Sequence, residues 1–178
     1  MRFRPRYCLP ALLLLPLFGC GAGRDEFPPQ CPTAKLVPAL AELTRYAGPG
    51  PGHDLTDMVL QARVVGVDGK CETVNEKSVL PTTVTVSIAL QRGPAMKGRD
   101  ADVPVFLAVV EGETIRDKRV FQVHLAFPPN VDRITITSPP VDLALPVSAQ
   151  KTGAAYGVIA GFQLTPAELA ANRKGPGG

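Results

Sequence analysis

From residue 82 to residue 92 the chain alternates strictly. Val84, Val86, Ile88 and Leu90 fall on one side, and Thr85, Ser87, Ala89 and Gln91 on the other. A period of two is the signature of a strand with one buried face. The pattern returns over residues 114–127, where Phe121, Val123, Leu125 and Phe127 alternate with Val120, Gln122, His124 and Ala126. Residues 103–110 are apolar on both faces, as a central strand requires. Glu111-Gly112-Glu113 turns the chain between these two, and Pro128-Pro129-Asn130 ends the second. Residues 58–67 form a further strand that runs into Asp68-Gly69, a dipeptide favoured in two-residue type I′ hairpins, with residues 71–74 returning. Residues 93–102 read as a loop. Residues 133–137 and 141–147 are short strands separated by Pro139-Pro140, which marks a bend or an edge. Residues 155–162 are a late strand rich in Gly and Ala, so something packs closely against it.

Helical signals are confined to two places. In residues 33–46, Leu36, Leu40 and Leu43 suit a short helix, while Pro38 sits awkwardly inside it; an edge strand is the alternative. Thr165-Pro166-Ala167-Glu168 fits a capping box with proline at the first helical position. That helix runs to about Arg173 and needs tertiary support, which Leu164 and Leu169 can provide. Residues 48–52, GPGPG, look like a phosphate loop only superficially. Their prolines remove amide donors and no Lys-Ser/Thr follows, so they read as a turn-rich linker.

Seven or eight short strands, with no βαβ alternation and no internal repeat, predict a mainly β chain: an antiparallel β-sandwich with a short C-terminal helix. Strand count and size resemble the immunoglobulin-like architecture. Its central tryptophan, and a tyrosine two residues before a second core cysteine, are missing.

The N-terminus has a different pattern. Arg2, Arg4 and Arg6 precede an apolar run from Leu9 to Phe18, broken by Pro10 and Pro16. Roughly ten residues make a signal h-region, where a membrane span needs about 20. The run ends in Leu17-Phe18-Gly19-Cys20 rather than in an Ala-x-Ala site. This resembles the bacterial lipoprotein lipobox, although Phe18 is bulkier than usual. The resemblance implies a signal peptide over residues 1–19, a diacylglycerol on the Cys20 thiol, and Cys20 as the mature N-terminus. The plain alternative is a secreted protein with a chance cysteine. Two or three acyl chains anchor stably where one does not. Gly21 after Cys20 implies, by the same resemblance, an outer-membrane anchor facing the periplasm. Residues 20–30 then serve as a lipid-anchored linker, and residues 31–178 as a single domain. The segments DLTDMVLQARVVGVDGKC and GFQLTPAELAANR are also similar to small alphaproteobacterial envelope lipoproteins, a likeness that implies no activity.

Removing the leader changes the charge balance. Three of the 19 Lys and Arg lie in it, leaving 16 against 16 Asp and Glu. A formally neutral chain with interspersed charges has no basic stripe for nucleic acid. Cys8 leaves with the leader and Cys20 is acylated, so Cys31 and Cys71 remain. In an oxidising compartment that pair is most simply a disulfide. A redox or zinc site would need a second cysteine at two-residue spacing or a nearby histidine pair.

Candidate chemistry is sparse. His53 adjoins Asp54, with Asp57 beyond, in a Gly/Pro-rich stretch that reads as a loop; Asp54 more simply bonds backbone amides in a turn. His124 lies mid-strand opposite the apolar face, as a solvated or hydrogen-bonded side chain. Asp100 with Asp102, and Glu111 with Glu113, flank loop tips. No nucleophile elbow, Ser-x-x-Lys, His-Glu-x-x-His or EF-hand spacing occurs. Basic residues gather at Lys97–Arg99 and at Arg116–Arg119. The late strand near Tyr156 and the C-terminal helix are candidates for a partner-docking edge. The expected function is therefore a lipid-anchored, non-enzymatic envelope module acting through a protein partner, with no cofactor and no metal. A binding module for a small ligand or envelope polymer is the alternative. An enzyme would require His53 or His124 to converge with Asp54, Asp57, Asp100 or Asp102.

Overall fold

The computed structural model describes residues 30–48, 54–72 and 78–174. The leader, Cys20, the linker that follows it, most of the GPGPG stretch and His53 lie outside the described residues.

Two sheets face each other across one core. The first contains β1 (Thr33–Leu36), β5 (Asp100–Glu111), β6 (Thr114–Ala126) and β9 (Tyr156–Phe162), in the order β1-β9-β5-β6. The second contains β2 (Glu42–Tyr46), β3 (Met58–Cys71), β4 (Val79–Arg92), β7 (Arg133–Thr137) and β8 (Val141–Pro146). Its order is β2-β3-β4, with β7 and β8 end to end along the far side of β4. The predicted β-sandwich is therefore present. All pairings are antiparallel except that of β1 with β9, which is parallel.

The alternation in β4 does what its period implies. Leu80, Thr82, Val84, Val86, Ile88 and Leu90 are all buried, and the residues between them are not. β5 answers with Val103, Val105, Leu107 and Val109, and β9 with Tyr156, Val158, Ala160 and Phe162. β5 is apolar on both faces because it is a central strand, between β9 and β6. On its outer side, Phe106 and Val110 lie over Gly161 and Gly157 of β9. A Cβ at Gly161 would meet the Leu40 carbonyl oxygen at 2.8 Å and the Phe106 ring at 2.9 Å. The expected close packing against the late strand comes from these groups.

Three expectations need correction. First, Asp68-Gly69 is not a hairpin turn. β3 runs through it, with Asp68 opposite Thr85 and Gly69 opposite Val84. β4 offers 14 residues of regular partner, and each rung adds hydrogen bonds that a turn at residue 68 would forfeit. A bulge between Val64 and Gly66 returns Val67 to the buried face. Second, residues 33–46 are neither one helix nor one strand. Pro38 occupies the first position of a single 3-10 turn (Pro38–Leu40) that carries the chain from one sheet to the other. Third, α1 (Pro166–Lys174) buries no residue. Its capping box is present: the Thr165 amide donates to Glu168 Oε2 at 2.7 Å, and the Glu168 amide to Thr165 Oγ1 at 3.2 Å. Leu164, just before the helix, does pack on the core, while Leu169 is half-buried. The helix itself is held by polar groups: Asn172 Nδ2 donates to the Ala39 and Glu42 carbonyls at 3.0 and 2.7 Å.

Cys31 and Cys71 are disulfide-bonded, with Cα atoms 6.0 Å apart. Because Cys31 enters β1 and Cys71 ends β3, the bond ties the two sheets together. Its 40-residue separation makes it worth about 4 kcal/mol in the chain-entropy view. Cys71→Ser is therefore expected to lower the unfolding free energy by roughly that amount in denaturant titration, and an unchanged midpoint would contradict the assignment. The buried Thr82 hydroxyl has no hydrogen-bond partner among the described residues. Thr82→Val removes that desolvated group at nearly constant volume. It is expected to raise stability by roughly 1 kcal/mol, and a loss of stability would show that the hydroxyl is satisfied.

Candidate functional site

A two-layer sandwich has four edges, and three of them are closed off here. β1 is 4 residues long and β2 is 5. β7 and β8 make a broken edge. There, the Ser138 amide bonds the Val86 carbonyl at 2.8 Å, and the Ser138 hydroxyl accepts from the Val86 amide at 3.0 Å. Pro139 and Pro140, which follow, have no amide to offer an added strand.

β6 is the exception. It runs 13 residues, and among the described residues it pairs only with β5. The Gln163 amide donates to the Pro104 carbonyl at 2.8 Å, so Pro104 directs its backbone toward the β9 side. By alternation, Val103, Val105 and Leu107 direct theirs toward β6, opposite Val123, Phe121 and Arg119. It follows that Lys118, Val120, Gln122 and His124 present their amides and carbonyls outward. Val120 is 50% exposed, a β-branched apolar side chain in the middle of the open strand. Lys118 is drawn back over the sheet, its Nζ 4.8 Å from the Phe106 ring centre and 2.7 Å from Gln163 Oε1.

Between the β5–β6 hairpin and β8 lies a cleft of about 560 Å³. Its floor includes Val109, Leu143 and Leu145, and its mouth is charged. Glu111 accepts from Lys151 at 2.7 Å and from Arg116 at 2.8 Å. Lys151 also stands 4.6 Å from the centre of the Tyr156 ring, and the Tyr156 hydroxyl donates to the Pro146 carbonyl at 2.6 Å. The hydrogen bond from Lys151, then Arg116, holds the Glu111 carboxyl below its ordinary value of 4.5. In return Glu111, with Tyr156, raises Lys151 above 10.5. Outside the cleft lining, Arg119 Nη1 donates to the Asp142 carbonyl at 2.7 Å, joining β6 to β8.

The sequence candidates fall as follows. Asp54 caps a 3-10 turn (Leu55–Asp57), accepting from the Thr56 amide at 2.6 Å and from the Thr56 hydroxyl, which lowers its pKa. Asp57 closes the box by accepting from the Asp54 amide at 3.4 Å. Both are thus engaged in the turn chemistry expected of Asp54. Lys97 and Arg99 are exposed in the loop before β5. His124 and Asp102 do converge, as a facing pair of β6 and β5 with Nδ1 3.0 Å from Oδ1. Their side chains are 68% and 62% exposed, so bulk water surrounds the pair and nothing fixes it for proton transfer. Among the described residues no group of three or more His, Cys, Asp or Glu is placed to hold a metal ion. The late strand near Tyr156 is not an edge: β9 lies between β1 and β5, and β6 ends that sheet. Lys151 and Tyr156 were not legible as partners of Glu111, because the β5–β9 register that assembles them is long-range.

Compared with protein-family models, with curated proteins and with solved structures, the chain matches none.

The Glu111 clasp has a definite pH window. Because the folded value lies below 4.5, its contribution is complete above that pH and is lost as pH falls through the folded value. Lys151, raised above 10.5, keeps its part until pH rises through its own folded value. A carbon-13 NMR titration is expected to place the Glu111 midpoint below 4.5. A midpoint at or above it would mean that the clasp does not form in solution.

Proposed function

We propose that the protein is a lipid-anchored, non-enzymatic module of the cell envelope, held at the outer membrane through Cys20 and acting through protein contacts along β6. The single observation that carries this reading is the open β6 edge, 13 residues long, in a sandwich whose other edges are short or interrupted. Unpaired strand edges are where another chain adds, and proteins that have no use for them shorten, bend or cover them. The lipobox resemblance supplies the anchor. The tether enters at β1, on the far side of its sheet from β6, so the interacting edge is the one turned away from the attachment. The ten residues between Cys20 and Cys31 span at most about 35 Å, which bounds how far the domain stands from the anchor.

The cleft favours a second reading, a binding module for a small ligand or envelope polymer. Its lining offers the cations Arg116 and Lys151 to an anionic group, against the carboxylates of Glu111 and Asp117. That reading ranks lower because both cations already have a partner.

Two measurements test the proposal. Metabolic labelling with an alkyne fatty acid is expected to tag the wild-type chain and not Cys20→Ala; equal labelling would remove the anchor. A photocrosslinking residue at Val120 or Gln122 is expected to capture protein in intact cells, whereas one at Ser87, on the solvent side of β4, is not. Capture confined to the cleft, at Ala144 or Lys151, would move the ligand reading ahead.

A further inference from the structure

We infer that the strand added to β6 is β6 of a second copy of this chain, antiparallel and in a register centred on Val120. The inference rests on the reading of β6 as the interaction edge and adds the identity of its occupant.

The argument starts from the order of residues in the strand. Its first half carries Arg116, Asp117, Lys118 and Arg119, and its second half carries Phe121, Gln122, Val123 and His124. A foreign strand laid along this edge meets a block of charge that ordinarily repels strand addition. A second β6 running the opposite way instead lays its uncharged half against the charged half, and the reverse. Keeping the outer faces on one side pairs even positions with even and odd with odd. Within that rule the possible centres can be taken in turn. Centring on Asp117 sets Asp117 against itself and Arg116 against Lys118. Centring on Lys118 or Arg119 sets that cation against its own copy, and like charges directly opposite are destabilising. Val120 is the first centre with no like pair. Arg119 then faces Phe121, Lys118 faces Gln122, Asp117 faces Val123 and Arg116 faces His124. Centres farther along also avoid like pairs, but they shorten the overlap. Val120 stands at the middle of Thr114–Ala126, so only this register uses the whole strand.

The backbone agrees independently. In this register Val120 meets its own counterpart, and Val120 is one of the residues whose amide and carbonyl point outward. The pairs Val120–Val120, Lys118–Gln122 and Gln122–Lys118 are then hydrogen-bonded pairs, which exchange two bonds each. The half-exposed Val120 side chain, left open in the single chain, is covered by its copy. The product is one continuous sheet across two protomers with a two-fold axis at Val120, an isologous contact that closes on itself.

The test uses the full chain in a non-ionic detergent. Light scattering is expected to give a dimer, and Val120→Lys, which sets like charges on the axis, is expected to abolish it. Retention of the Cys31–Cys71 bond and of the thermal unfolding profile shows that the variant is folded. Facing residues in a hydrogen-bonded antiparallel pair have Cα atoms about 5.5 Å apart, within reach of a disulfide. Val120→Cys is therefore expected to crosslink to itself under mild oxidation, with peptide mapping separating that link from any made by Cys8 or Cys20. Lys118→Cys alone leaves the two thiols four residues apart along the ladder, about 13 Å, and does not crosslink; combined with Gln122→Cys it does. A chain that stays monomeric at its solubility limit, or that crosslinks equally well through residues 118 and 120, overturns the inference. If a monomer in detergent is captured at Val120 by a different envelope protein in cells, the edge stands and self-pairing falls. If Val120 captures nothing in either setting, both fall.

Discussion

Alternate residues of β4, from Leu80 to Leu90, must leave water, and that requirement organises both sheets. Among the described residues β4 is the most extensively paired strand: β3 lies along residues 82–92 on one side, and β8 and β7 along 79–84 and 87–91 on the other. Its buried face, with Val84, Val86 and Ile88 fully enclosed, has to be covered by a second layer. β5 and β9 provide that layer, with Leu107 and Val158 equally enclosed. Each fully buried side chain of this kind contributes on the order of 2 kcal/mol. No single element outside this pair of faces approaches their sum. The continuity of β4 also decided the fate of Asp68-Gly69, because a long regular partner outweighs the turn preference of one dipeptide.

Backbone pairing sets the second constraint. An inner strand satisfies its amides and carbonyls on both sides, and an edge strand on one. The broken edge is dealt with in detail: Ser138 inserts its hydroxyl where the Val86 amide needs an acceptor, and two prolines then deny a ladder to any newcomer. Pro104, in the centre of the other sheet, is tolerated for a related reason. Its carbonyl accepts from Gln163, and its missing amide falls where β9 has already ended. Against these arrangements the length of β6 is an anomaly. Its charged first half gives only partial protection, which a reversed copy of the same strand evades.

Charge is used locally. From residue 20 onward the chain is formally neutral, yet at the mouth of the cleft two cations converge on Glu111, and Arg119 spans from β6 to β8. These bonds bridge β6 to β8 and gather around the mouth of the cleft. At the opposite edge the disulfide and the Asn172 amide fasten β1 and the crossover turn. His124 and Asp102, by contrast, meet in open solvent, where a facing pair adds little.

Period and punctuation were enough to determine the sandwich class, the long strands, the Glu111-Gly112-Glu113 turn, the capping box at Thr165 and the Cys31–Cys71 pair. Each of these depends on residues near one another in sequence or, for the cysteines, on the expectation that Cys8 and Cys20 are taken by the leader and its lipid. Gly112 and Asn130, for instance, are both at positive φ, as turn residues of their kind suggest. Strand order was not legible. β1 pairs with β9 across more than 120 positions, and no local pattern distinguishes a Gly/Ala-rich central strand from an edge. The same holds for the clasp of Glu111, Lys151 and Tyr156, and for the meeting of His124 with Asp102. Periodicity fixes which face of a strand is buried. Only the tertiary structure decides which strand lies beside it, because that choice is made by the shared burial of faces far apart in the chain.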